Sequence, residues 1–195
     1  MDNQKEGFVL IVNCVDTFKI DVILLTSLFE SRNYIVESID ELAKYSFSTS
    51  DQSNIIVILL GYGNEEDIFI DKNRTTVTSY LDIYRLFDEC EKVLILSETI
   101  WEYIDQNTKR FVNEYIFEPK GVYHINLMVN LENNTSILEK CLTSEFAKAQ
   151  NLFTWDAIYD SIQAKMEQTH QFASLKLYMT GDVENYIKNV WYQNY

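Results

Sequence analysis

Ile55-Ile56-Val57-Ile58-Leu59-Leu60-Gly61-Tyr62-Gly63-Asn64 is the stretch whose reading decides the fold. Its first six residues form the most apolar run in the chain and are mostly β-branched. A run without polar alternation needs cover on both faces, as in the middle of a parallel sheet. The Gly61-Tyr62-Gly63-Asn64 that follows reads as a turn ending the strand.

Working outward, residues 8–12 form a second buried strand and residues 34–39 a shorter one. Between them Phe18, Val22, Leu25, Leu28 and Phe29 recur at helical spacing behind Asp16, a candidate cap. Residues 46–53 are Ser-rich and read as a loop. Residues 65–78 are acidic and irregular, an expected exposed excursion. Residues 79–91 read as a helix and 93–96 as a strand. Residues 99–117 carry Ile100, Tyr103, Ile104, Phe111, Val112 and Tyr115 as one face of a long helix, stopped by Pro119. Residues 122–129 read as a fifth strand, nearer an edge because His124 and Asn126 alternate with apolar residues.

From residue 133 only helices are expected. Ile137, Leu138, Cys141, Leu142 and Phe146 form one stripe; Trp155, Ile158, Ile162 and Met166 form another, capped by Thr154. A last helix follows Gly181-Asp182, with Tyr186, Ile187, Val190 and Trp191 on one side. Strands alternating with helices imply right-handed crossovers and a parallel sheet. The reading is an α/β chain: a Rossmann-like or flavodoxin-like three-layer sandwich over residues 1–132. Residues 133–195 form a helical extension packing on it or on a partner. Val9, Ile11, Val57, Ile58, Leu60, Val93, Ile95 and Ile125 are the expected sheet core.

Composition narrows the function classes. The 195 residues suffice for one domain with a sizeable core. The net charge of -14 would repel nucleic-acid phosphates and anionic lipid, so no nucleic-acid partner is expected. Thirteen Tyr and eleven Phe favour an interface, with another protein or with a second copy. Cys14, Cys90 and Cys141 are widely spaced, and only His124 and His170 could assist a metal. Neither a metal site, a disulfide framework nor a cofactor is expected. No stretch reaches the length of a membrane span and no apolar leader follows Met1, so a cytoplasmic protein is expected.

In doubly wound sheets ligands bind outside the carboxyl ends of the strands. By that rule the ligand-binding candidates are Asn13 after the first strand, Gly61, Gly63 and Asn64 after the third, and Ser97 and Glu98 after the fourth. Glycines there let backbone N–H groups approach a phosphate, although the full GxGxxG pattern is absent. They serve equally well in a turn needing positive φ. Ser97 and Glu98 could hydrogen-bond a ribose or sugar, or serve the start of a following helix. No nucleophile elbow, Walker loop or HExxH is present, and no catalytic residue can be assigned.

Two resemblances bear on function. Residues 81–98, including Tyr84-Arg85 and Val93-Leu94-Ile95-Leu96-Ser97-Glu98, resemble the helix-to-strand segment of GT-B glycosyltransferases. Residues 147–158, with Phe153-Thr154-Trp155-Asp156, are similar to their closing helix. This resemblance implies a single-lobe, glycosyltransferase-like protein acting in glycan assembly through a partner or half-site, with a nucleotide sugar as its ligand. The family's two glutamates eight positions apart are not matched: from Glu98 the count reaches Gln106, and from Glu102 it reaches Arg110. Residues 8–12, Ser27-Leu28-Phe29-Glu30-Ser31-Arg32-Asn33-Tyr34 and residues 55–60 resemble a response-regulator receiver domain. There the acidic and phosphoacceptor positions hold Asn13-Cys14 and Leu59-Leu60, while Ser97 and Lys120 match the later Ser/Thr and Lys. That resemblance implies an unphosphorylated pseudo-receiver that works by binding protein.

Overall fold

The computed structural model describes residues 6–46, 54–64, 68–73, 76–87, 90, 93–101, 109–111, 121–129, 136–148, 155–169 and 174–179. Five parallel strands carry the fold: β1 (Phe8–Asn13), β2 (Ile35–Ile39), β3 (Ile55–Asn64), β6 (Val93–Trp101) and β8 (Val122–Val129). They lie in the order β2-β1-β3-β6-β8. Counted along the chain this is 2-1-3-4-5, the flavodoxin-like doubly wound order. The three-layer α/β reading is thus met.

The chain leaves β1 toward one edge and β3 toward the other, and right-handed crossovers then require helices on opposite faces. Helix α1 (Lys19–Glu30) buries Leu25 and Phe29 on the face formed by Val9, Ile11, Ile56, Ile58, Leu60, Leu94 and Leu96. Helices α3 (Ile137–Lys148) and α4 (Trp155–Thr169) join that face through Leu138, Leu142, Phe146, Ile158 and Ile162. Helix α2 (Tyr80–Arg85) covers the other face, where Ile83 packs with Leu10, Val57, Leu59 and Ile95. Each buried aliphatic side chain is worth about 1.5–3 kcal/mol relative to exposure. All eight expected core residues are buried.

Local chemistry sets the helix ends. Asp16 does not cap α1; the residue before α1 is Phe18, which makes no side-chain cap bond, and a 3-10 turn over Asp16–Phe18 leads in. After α1, Asn33 takes φ 65°, the left-handed conformation Asn tolerates beyond a helix end. Ser79 caps α2 by accepting from the Asp82 N–H at 3.1 Å. Arg32 donates to the Phe146 carbonyl at 2.7 Å and lies over its ring, tying α1 to α3.

Several expectations are corrected. The strand does not stop at Gly61 but runs to Asn64, and β6 runs past Ser97 and Glu98 to Trp101. The 65–78 region is not a simple excursion: β4 (Ile68–Ile70) and β5 (Thr76–Ser79) form an antiparallel hairpin with Phe69, Ile70 and Val77 buried. The long helix expected over 99–117 gives way to the end of β6 and to β7 (Lys109–Phe111), parallel to β5. The tail beyond 133 is not purely helical, because β9 (Ser174–Met179) pairs antiparallel with β8. That pairing covers β8, and His124, taken as an edge signal, is fully buried. Thr154, Pro119, Lys120 and the helix expected after Gly181 lie outside the described residues.

Candidate functional site

The carboxyl edge of β1 and β3 is where a sheet of this order leaves its crevice. Here β4 fills it. β6 pairs with β3 as far as Gly63, whereas β1 pairs only as far as Leu60. β4 therefore takes the side of β3 that β1 vacates, pairing Tyr62, Gly63 and Asn64 with Ile70, Phe69 and Ile68. The Phe69 ring lies over Gly61 so closely that a Cβ at residue 61 would overlap ring carbons. Gly61 is thus a seat for an aromatic ring rather than a turn or a phosphate cradle, and Gly63 is a ladder residue.

Ser97 and Glu98 are adjacent on β6, so their side chains point to opposite faces. Both are buried. On the α2 face Ser97 Oγ donates to Asn126 Oδ1 at 2.7 Å and lies 2.7 Å from His124 Nε2. Tyr80 Oη donates to the same Asn126 oxygen at 3.0 Å, and Tyr84 Oη lies 2.7 Å from His124 Nδ1. Because the single Ser97 proton goes to Asn126, the network assigns the His124 proton to Nε2, leaving Nδ1 to accept from Tyr84. Ser97 and His124 have the spacing of a nucleophile and its base. His124 is 0% exposed, however, and its outer partner is a phenol rather than a carboxylate. The group satisfies itself and locks α2 to β6 and β8. Sequence reading singled out Ser97 but not its pairing with His124, which depends on the β6–β8 register Ser97↔Asn126.

On the opposite face Glu98 is 1% exposed and holds the start of α3. Its carboxylate accepts from Ser136 Oγ at 2.5 Å, Ile137 N at 3.0 Å and Leu138 N at 2.9 Å. The acceptor capacity expected for a sugar's hydroxyls is taken by a helix N-terminus, where a carboxylate is favoured. Asp21 on α1 accepts from Ser136 N at 3.1 Å, and its Oδ2 has no hydrogen-bond partner among the described residues.

Burial pushes the pKa of Asp21 above 3.8 and that of Glu98 above 4.5, against the pull of their hydrogen bonds. A carboxyl whose pKa is higher folded than unfolded favours the native state while protonated. Its contribution is full below the unfolded pKa and is lost as pH rises through the folded one. Asp21→Asn fixes a neutral side chain and keeps an oxygen for Ser136. It is expected to melt higher than the parent at neutral pH, with the gap closing below about pH 4. Thermal melts across pH decide this; a lower melting temperature at neutral pH would refute it.

Asn13 remains at an accessible carboxyl end. Its Oδ1 accepts from Val15 N at 3.0 Å, and it lines a cleft between the ends of β1 and β2 with Lys19, Ser38, Asp40 and Lys72. The structure therefore does not gather Asn13, Gly61, Gly63, Ser97 and Glu98 into one crevice. Among the described residues there is no metal-holding cluster of His, Cys, Asp and Glu, and no helix is long and apolar enough to cross a membrane. Comparison with protein-family models gives no match, and comparison with curated proteins gives none either.

Proposed function

We propose that the chain is a non-catalytic, receiver-like module that works by binding another protein. The observation that carries this reading is the filled crevice: β4 and Phe69 occupy the place where the fold would otherwise hold a ligand. The 2-1-3-4-5 strand order and the shared face of α1 and α3 also suit it. Leu59 and Leu60 are buried where a receiver carries its phosphoacceptor, so no aspartyl phosphate can form there.

The docking face in this reading is the outer side of α1. Ile20 is 70% exposed, Ile23 64% and Leu24 48%, adjacent on two successive turns. The net charge of -14 disfavours a second copy and favours a partner whose apolar face is rimmed by Lys and Arg. Ile20→Glu combined with Ile23→Glu is expected to abolish capture of a specific host protein while leaving the melting temperature unchanged. Affinity purification of both forms followed by mass spectrometry tests this. An identical protein set on the two baits would count against α1 as the docking face, and incorporation of phosphate from acetyl phosphate would count against the pseudo-receiver reading.

A second reading, a glycosyltransferase-like lobe completed by a partner, is favoured by one observation. Residues 80–85 and 93–101 fold as the helix and buried strand that the resemblance implies, and a helix begins at Trp155. It requires that UDP-, GDP- or TDP-sugars perturb residues 61–64 and 97–101 in a titration followed by NMR, with or without a divalent cation. No such perturbation at millimolar ligand would end it.

A further inference from the structure

We infer that the cleft at the carboxyl ends of β1 and β2 binds a phosphorylated polyhydroxy compound, a sugar phosphate or a nucleotide. The cleft measures about 320 Å³, enough for such a ligand. It lies on the strand side left open after β4 has filled the β1–β3 crevice, and it is separate from the apolar stripe on α1.

Its charges suit a ligand that carries both an anionic group and hydroxyls. Lys19 on α1 and Lys72 beyond β4 converge on one oxygen: each Nζ lies 3.1 Å from Asp16 Oδ1. Asp16 thus stands where an anionic oxygen of the ligand would sit. The hydrogen bonds from Lys72 and Lys19 hold the Asp16 carboxyl below its ordinary pKa, and Asp16 in turn raises that of Lys72. These side chains are well exposed, and water and salt weaken their pairing. A phosphate, with more charge and more oxygens, competes effectively for the two lysines.

The same cleft also suits hydroxyl groups close to the lysines, since Asp40 acts on Lys72. Asp40 follows β2, and its carboxylate can accept from a pair of neighbouring hydroxyls; Ser38 can donate or accept beside it. Asn13 spends its oxygen on Val15 N, which leaves its amide N–H groups to donate. Val22 and Ile39 add an apolar wall for the face of a sugar or base. A bare anion would meet the Asp40 carboxylate, and an uncharged polyol would have no use for two lysines. The ends of β1 and β2 are tied together by Cys14 Sγ, 3.5 Å from the Asp40 carbonyl oxygen. Burial pushes the Cys14 thiol up to about 12, so it supplies no nucleophile, and the site is one of binding.

The test is a titration of the isotope-labelled full chain with inorganic phosphate, ribose 5-phosphate, glucose 1-phosphate and UMP, read by amide shifts. Shifts are expected at Asn13, Lys19, Ser38 and Lys72, with an organic phosphate bound about tenfold more tightly than inorganic phosphate. Whichever organic phosphate binds more tightly identifies the source as a sugar phosphate or a nucleotide. Lys72→Gln should weaken every ligand about tenfold, and Asp16→Asn should tighten every ligand severalfold by releasing the lysines. Asp40→Asn should weaken the organic phosphates and spare inorganic phosphate. The variants alter exposed side chains, and thermal melts confirm that each is folded. The proposal is overturned if no ligand shifts these residues at millimolar concentration. It also falls if Lys72→Gln binds unchanged, if Asp16→Asn binds more weakly, or if inorganic phosphate binds as tightly as the organic ones.

Discussion

Glu98→Ala is expected to lose about 3–5 kcal/mol of stability, since buried donors left without an acceptor cost about 1–3 kcal/mol each. The substitution strips acceptors from three donors at once: the Ser136 hydroxyl and the amides of Ile137 and Leu138. All three residues are buried, so water cannot replace the lost acceptor without opening the start of α3. A typical domain has only about 5–15 kcal/mol in hand, so much of the native population is at risk. Glu98→Gln should recover part of the loss, because its carbonyl can still accept while its NH2 group faces donors. Urea unfolding of the three proteins measures the order Glu, Gln, Ala. A Glu98→Ala protein as stable as the parent would show that the contact contributes little. The same experiment bears on function, since a residue consumed in holding α3 is not free to hold a sugar.

The strands that carry the fold were legible because they are buried on both faces and spell continuous apolar runs. β1 and the first six residues of β3 announce themselves in this way. Their ends were not legible, because the signals used for chain ends were recruited for packing. Gly61 sits under Phe69, and the polar pair Ser97-Glu98 continues a strand whose polar atoms are satisfied across the fold. Local sequence cannot report partners so distant: Glu98 meets Ser136, and Ser97 meets Asn126. β4, β5 and β7 are three or four residues each, too short for a period to show, and β9 was read as part of a helical tail. Asn13 was legible as a strand-end residue, but Lys72 and Asp40 were not. Their meeting depends on the β3–β4 pairing, which brings the turn after β4 to the cleft lined by Ser38, Ile39 and Asp40.

Gly61→Val is expected to destabilise the protein by about 1–3 kcal/mol, the usual cost of forcing atoms into a filled core. Valine suits a strand by propensity, so the cost comes from the collision with Phe69 alone. Both positions are buried, and Phe69 is held in place by the β3–β4 ladder through Gly63. Phe69→Ala alone should also be costly, about 3–5 kcal/mol, because it empties the place the ring fills. The pair should not be additive. Once the ring is gone, the valine side chain occupies part of the vacated space, so the double variant should be more stable than the sum of the single losses predicts. A coupling of at least about 1 kcal/mol is expected from a double-mutant cycle in urea. Additive losses would mean that the ring does not rest on Gly61. The crevice between β1 and β3 would then lack its plug, and a ligand at Gly61 and Gly63 would again be sterically allowed. The cycle thus tests a packing contact and, through it, whether the sheet's switch point is closed to a ligand.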